Sequence, residues 1–404
     1  MNKHLHTWLI TAITVIASLC ATAQGAPRQL EQSPDTAYSP ITISLVTFYP
    51  GDEPFSIYGH TELRVQQAGA GDLYYNYGVF DFNAPGFVFR FVTGDALYYC
   101  VPIPAQYATM GMEGRRMVEQ QLNLTQEQAR RVDAFLRNNA KTENRTYQYR
   151  YLTNNCSTKP RDIIEMAVST DSLSYARPAE STTYRKMMTH YGKNYAWQQF
   201  GIDLVLGSEL DKPLDYRRQM FVPMVLMQAL EGATIKRNGH TMPLVSQTQV
   251  MVDGDEQGLV LPPTPWWCSP MAVALLILAI AVCITIKDLK QRRVTRWLDA
   301  TFYCILGIAG CVIAFLVTCS QHEALWPNYN LLWVHPLALI AAIASLMPRK
   351  AGKVLTCFHS VNAAVIAYTL GAWYFMPQVA NAAFFPLMAT SLLRSASFII
   401  IKKK

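Results

Sequence analysis

The chemistry in this chain starts at a cysteine. Cys156 stands between the turn residues Asn154 and Asn155 and a segment, Ser157 to Val168, whose Ile163, Ile164, Met166 and Ala167 recur at helical spacing. A cysteine at the start of a helix meets free amide N–H groups and the positive end of the helix dipole. Both stabilise a thiolate and lower the pKa of the nucleophile. A thiolate also calls for a proton acceptor, usually an imidazole. Three histidines lie between residues 24 and 265. His240 adjoins the Asn238-Gly239 turn and is expected to face solvent, His190 sits in a tyrosine-bearing stretch, Met187 to Tyr195, read as a loop, and His60 follows a glycine that permits close approach. His60 is the best base. The bland reading competes: a histidine on a strand is commonly a structural residue, and Cys100 with Cys156, the two cysteines of this region, would pair as a disulfide in an oxidising compartment. No zinc-site spacing, phosphate loop or Gly-x-Ser-x-Gly elbow occurs, so the reading carries no metal and no cofactor.

The elements that must position these groups are read from alternation and turn residues. Thr42 to Tyr49, Thr61 to Gln66 and Leu73 to Phe80 predict strands, and Ala68 to Asp72 turns the last two into an antiparallel hairpin. Thr125 and Gln128 are placed as a capping box for a helix running to about Asn139. Arg145 to Leu152 returns to tyrosine alternation, and Ala233 to Met251 predicts a second hairpin about Asn238-Gly239. Gln247 to Pro265, with its glycine and proline content, reads as a tether.

The chain of 404 residues is 51% hydrophobic and 16% charged, with formal net charge +7, which excludes disordered and low-complexity classes. The charge is divided. Residues 24–265 hold 22 Lys and Arg against 25 Asp and Glu, whereas residues beyond 265 hold 12 against 3. The excess therefore belongs to a membrane part and does not mark a nucleic-acid partner. Lys3, the apolar run Trp8 to Leu19, and Ala21-Thr22-Ala23 form a secretory signal with a small-residue cleavage site. Five apolar stretches, Trp266–Ile286, Thr301–Cys319, Leu331–Met347, Val354–Met376 and Ala382–Ile401, are each about long enough to cross a bilayer as helix. Lysines and arginines follow the first, third and fifth, while Ser320–Asn330 and Pro377–Asn381 contain none. The positive-inside rule then puts the C-terminus in the cytoplasm and residues 24–265 outside. Arg394, within the last stretch, is read as snorkelling to the inner face. His322, Asn328, Asn330 and His335 gather near the outer surface, to meet lipid headgroups or to dock the exported domain.

The runs Tyr58-Gly59-His60-Thr61-Glu62-Leu63-Arg64-Val65, Tyr75-Asn76-Tyr77-Gly78-Val79-Phe80-Asp81-Phe82 and Tyr149-Arg150-Tyr151-Leu152-Thr153-Asn154-Asn155-Cys156-Ser157-Thr158-Lys159-Pro160-Arg161-Asp162 resemble the exported domain of the Lnb-type bacterial lipoprotein N-acyltransferases. So do Gly201 to Gly207 with Asp211, Met220-Phe221-Val222-Pro223 and, in the membrane part, Trp326 to Trp333. The resemblance implies an α+β exported domain with a circularly permuted papain-like, NlpC-type fold, followed by an all-α domain of five transmembrane helices. The expected limits are 1–23 for the signal, 24–245 for the periplasmic catalytic domain, 246–265 for the linker and 266–404 for the membrane domain. The implied reaction moves a fatty acyl chain from a phospholipid to Cys156, and from the thioester to the N-terminal cysteine amine of a diacylated lipoprotein. His60 would serve as base. Asn76 would fix its tautomer, with Tyr77 and Asp81 as alternatives, and the Cys156 N–H with Tyr58 or Asn155 would form the oxyanion site. Tyr75, Tyr77, Phe80 and Phe82 equally suit a plain buried strand. Two other classes share these residues: a membrane-tethered cysteine peptidase or amidase of the envelope, and a non-enzymatic envelope scaffold with the Cys100–Cys156 disulfide.

Overall fold

The structure, a computed structural model, describes residues 39–53, 55–176, 181–259 and 261–403, so the expected signal segment lies outside the described residues. The centre of the N-terminal domain is antiparallel. β1 (Ile41–Phe48) pairs with β2 (His60–Gln67), and β2 with β3 (Gly71–Val79). Further out lie β4 (Leu97–Pro104), β5 (Met117–Leu122), β6 (Thr146–Gln148) and β10 (Val245–Val252), giving the order β10-β5-β1-β2-β3-β4-β6.

Side chains alternate across this sheet, and both faces are covered. On one face Leu45, Leu63, Tyr75 and Tyr77 pack under the helices α2 (Gln126–Asn139) and α3 (Thr158–Ala167), against Leu136 and Ile164. On the other, Val46, Phe48, Tyr74 and Met117 form a smaller cluster with Ala108. The capping box of α2 is present in both directions: the Gln128 N–H donates to the Thr125 hydroxyl and the Thr125 N–H to the Gln128 side chain. A second sheet joins β7 (Ser172–Tyr175), β8 (Ala233–Arg237) and β9 (His240–Pro243), with Asn238 and Gly239 at positive φ in the turn as their residue types demand.

Several elements differ from expectation. The strand expected over Arg145–Leu152 shortens to β6, because the chain turns at Tyr151–Thr153 to reach Cys156. His190 lies in α4 (Tyr184–Tyr191), not in a loop. Residues 246–252, expected as linker, form edge strand β10 on β5; their side chains are largely exposed, so the strand shows no apolar face to the eye. Unforeseen were α1 (Phe87–Thr93) between β3 and β4, and α5 (Ala196–Val205), α6 (Tyr216–Gln219) and α7 (Pro223–Glu231).

Among the described residues five helical segments are long and apolar enough to span a membrane: Pro270–Gln291, Arg296–Cys319, Glu323–Leu346, Ala351–Phe375 and Phe384–Lys402. Their helices are α8 (Pro270–Gln291), α9 (Arg296–Cys319), α10 (Leu337–Leu346), α11 (Pro348–Ala372) and α12 (Phe384–Lys403). Arg394 does not snorkel. It is 0% exposed, and its guanidinium donates to Asp299 at 2.6 Å, to Asp288 at 2.9 Å and to the Thr285 hydroxyl at 2.9 Å. The reason is helix length: α8 and α9 run past their apolar stretches and turn two carboxylates inward where the sequence reading saw connection.

The N-terminal domain is seated on the bundle by the segment after α5. The amides of Asn328 and Asn330 donate to the carbonyls of Asp203, Leu204 and Val205, at 2.7 to 3.1 Å, which satisfies orphan acceptors at the α5 C-terminus. Asp203 also accepts from Arg185 at 2.8 Å and from Asn381 at 2.9 Å. Gly207 passes so close to the bundle that a Cβ there would lie 2.4 Å from the Pro327 carbonyl. Of the two roles open to Asn328 and Asn330, docking is the one the geometry takes.

Candidate active site

His60 opens β2 opposite Phe48, after Gly59 at φ +86°, where a Cβ would stand 2.8 Å from the Phe48 carbonyl oxygen. Asn76 on β3 reaches the ring: its Oδ1 lies 3.1 Å from His60 Nε2 and accepts from the Gly78 N–H at 2.6 Å. A backbone N–H can only donate, so the facing amide atom is oxygen and His60 carries its proton on Nε2. The Nδ1 edge is left for Cys156. Gly78 makes room for this, since a Cβ there would fall 2.6 Å from His60 Cε1.

Cys156 occupies the turn before α3, half-buried, and its backbone is fixed on several sides. The Thr61 hydroxyl donates to the Cys156 carbonyl at 2.5 Å, so β2 carries both the imidazole and an anchor for the thiol's main chain. Asn155 Oδ1 accepts from the N–H groups of Ser157 and Thr158, both at 2.9 Å, capping α3, while its Nδ2 donates to the carbonyls of Tyr151 and Phe221. The Ser157 hydroxyl adds a bond to the Met220 carbonyl at 2.7 Å.

Thiol and imidazole shift each other. For Cys156, burial alone would raise the pKa. The His60 charge and hydrogen bond, with the N–H groups of Thr61 and Cys156 itself, outweigh it and the thiol is held below its ordinary value of 9.0. For His60, burial would lower the pKa, but Cys156 and Glu62 raise it to about 10. The two shifts run in opposite directions, so each group favours the charged form of the other. Glu62 is the carboxylate beside the imidazole that sequence reasoning missed. It is 1% exposed, its Oε1 lies 3.6 Å from His60 Nε2, and its Oε2 has no hydrogen-bond partner among the described residues. Its signal was present: two residues after His60 on one strand, it shares the imidazole's face, and it pairs across the sheet with Asn76.

Two family models match the chain, the Lnb N-terminal periplasmic domain over residues 30–190 and the Lnb transmembrane domain over residues 263–404. The chain belongs to the Lnb family. It is a multi-pass membrane protein of a lipoprotein-modifying family, with an α+β periplasmic domain ahead of five apolar helices. Neither the curated proteins nor the solved structures compared with it gives a match.

The other site residues fare unequally in this Lnb-family protein. Tyr77 points to the opposite face of β3 from Asn76, and its hydroxyl donates to Asn139 at 2.6 Å, so it does not reach the imidazole. Asp81 is exposed in the turn after β3, accepting from the Asn83 N–H at 2.8 Å. Asn155 has both amide protons committed to carbonyls, which leaves none for an oxyanion. Tyr58 is buried beside Tyr151, its ring edge-on at 5.8 Å. Burial raises its pKa, so its phenol stays protonated, and its hydroxyl has no full hydrogen bond among the described residues. His190 and His240 are exposed. Cys100 is free, as is Cys156; it is buried in β4 beside Tyr77, and burial pushes its thiol up to about 11. The disulfide-bonded scaffold loses its basis. Among the described residues no group of three or more His, Cys, Asp or Glu is placed to hold a metal.

Proposed function

We propose that this Lnb-family protein is a lipoprotein N-acyltransferase using Cys156 as nucleophile, His60 as acid and base, and Asn76 as the residue that orients the imidazole. The observation that carries the reading is the half-buried Cys156 thiol beside the His60 imidazole, backed by Asn76 and Glu62, in a domain bonded directly to a membrane bundle. The order of histidine strand before cysteine helix is that of a circularly permuted papain-like domain. In the first half-reaction the Cys156 thiolate attacks the ester carbonyl of a phospholipid. The C–O bond breaks, the imidazolium gives its proton to the departing lysophospholipid oxygen, and a thioester remains. In the second, the α-amino group of a diacylated lipoprotein's N-terminal cysteine attacks the thioester. His60 takes the amine proton, the C–S bond breaks, and an amide leaves with thiolate and imidazolium restored. The Cys156 N–H and the unspent Tyr58 O–H are the oxyanion donors in this scheme. The domain works in the periplasm, from the inner membrane, with the C-terminus in the cytoplasm.

The test is mass spectrometry of lipoprotein N-termini from cells whose only copy is Cys156→Ala. Loss of one amide-linked acyl chain is expected. Unchanged lipoproteins would overturn the reading and favour the envelope peptidase or amidase.

A further inference from the structure

The connection from β3 to β4 turns large apolar side chains outward. Phe82 is 65% exposed, Val88 68% and Phe89 61%, with Phe91 also exposed on α1. A patch of this kind on a periplasmic domain marks an apolar partner. Its position names that partner. The Phe89 ring lies 6.0 Å from that of Phe315, which is four residues inside the outer end of α9, about 6 Å down the helix axis at 1.5 Å per residue. A bilayer that covers α9 to its end therefore covers Phe89.

The placement is held by polar bonds just above. The Gln321 N–H donates to the Thr93 carbonyl at 2.8 Å, the Gln321 amide to Asp95 at 2.7 Å, and His322 Nε2 stands 2.8 Å from the Phe91 carbonyl. Arg150 donates to the Gln321 side chain at 3.0 Å. The loop after α9 thus clamps the C-terminal end of α1 and leaves its apolar side chains at membrane depth.

From there aromatic rings continue inward. Phe82 meets Phe87 at 5.2 Å between centroids, Phe87 stacks on Phe80 at 5.3 Å, Phe80 on Tyr98 at 4.8 Å, and Tyr98 on Tyr149 at 4.1 Å, with Phe91 also stacked on Tyr149 at 6.4 Å. Tyr149 adjoins Arg150, whose N–H donates at 3.1 Å to the carbonyl of Asn154, two residues before Cys156, so the last ring stands at the thiol's own turn. The rings run from Phe89 at the bundle toward the thiol, and Arg90, the one charged residue within α1, is exposed.

We propose that α1 and the aromatic turn before it are inserted in the outer leaflet, and that this ring wall holds a phospholipid acyl chain with its ester end beside Cys156. The inference rests on the acyltransferase reading for its purpose, not for its measurement. The test uses the full chain as Cys156→Ala in vesicles of phosphatidylethanolamine and phosphatidylglycerol carrying a diazirine on one acyl chain. Photo-crosslinks are mapped by peptide mass spectrometry. Crosslinks within residues 82–98 are expected, and they should fall at least about fivefold when Val88→Glu and Phe89→Glu are added, as charged side chains resist the hydrocarbon. The same two substitutions in the chain with Cys156 intact should leave its alkylation by iodoacetamide at pH 6 unchanged, which shows the domain is folded. Crosslinks confined to α8–α12, or unaltered by the glutamates in a folded domain, would overturn the proposal. Crosslinks at 82–98 alongside unchanged lipoproteins in the Cys156→Ala strain would instead defeat the acyltransferase reading and leave the inserted helix standing.

Discussion

Two sets of buried charges sit at opposite ends of this protein, and they are built to opposite rules. In the membrane bundle Arg394 spends its donors on Asp299, Asp288 and Thr285, all within 2.9 Å, and Thr295 satisfies Asp288 further, its hydroxyl donating at 2.5 Å. In the periplasmic domain His60 touches Asn76 at 3.1 Å and Glu62 only at 3.6 Å, and one oxygen of Glu62 is left without a partner among the described residues. A completed network has one arrangement and resists change. An incomplete one keeps its groups free to gain and lose protons, which is what the proposed nucleophile and base require.

The sharpest way to break the contrast is His60→Ala, which should cut acyl transfer by about 10²–10⁴-fold, the range for a general base, while thermal unfolding of the detergent-solubilised chain hardly moves. Arg394→Met should do the reverse. It strands two buried carboxylates and should cost about 3–5 kcal/mol of stability, seen as a lowered Tm, and adding Asp288→Asn and Asp299→Asn should recover most of it. If Arg394→Met left Tm unchanged, the bundle network would not be the structural element described here. Gly78→Ala places a methyl against the imidazole and should lower activity by on the order of 10²-fold through displacement of the ring, with circular dichroism unaltered. Glu62→Gln should raise the pH at which Cys156 becomes alkylable by about one unit, worth ~1.4 kcal/mol, because an imidazolium without its carboxylate is easier to deprotonate and holds the thiolate less well.

The pH profile of the native protein sharpens the same point. A lowered thiol pKa keeps the thiolate as pH falls below 9.0, and a raised imidazole pKa keeps its proton until about 10. Formation of the acyl-enzyme in the proposed reaction needs both, so its rate should hold as pH falls below 9 and decline above pH 10. A loss on the acid side centred near 6.5, where an unperturbed imidazole takes up its proton, would mean that the pair rests neutral.

Cys156 and His60 stand in local patterns, a turn before a helix and a strand entered from a glycine, whereas Asn76 follows from the family resemblance, and the structure sets it against the His60 ring. Glu62 was equally open to a count of two along β2. Tyr77 was open to the same count in the other direction, since neighbours on a strand face opposite ways and Asn76 with Tyr77 cannot both address one imidazole. Asp81 and Asn155 went astray for a different reason. Their residue types serve turns as well as catalysis, and what their amide or carboxylate meets is set by distant main chain, such as the Phe221 carbonyl on Asn155. The β10 edge strand and α1 lacked signals of their own, because one pairs through its backbone with polar side chains outward and the other turns its apolar side away from the domain core.

The sequence by itself determined that the chain would cross a membrane five times and present a cysteine at a helix start, because hydropathy over some twenty residues and the chemistry of a turn are local properties. That Asn155 spends its amide on the Tyr151 and Phe221 carbonyls, and that Arg394 is enclosed by Asp288 and Asp299, were decided only in the tertiary structure. Partners 95 residues apart, like Thr61 and Cys156, are brought together by the register of a sheet and the packing of helices, and no window of sequence contains both.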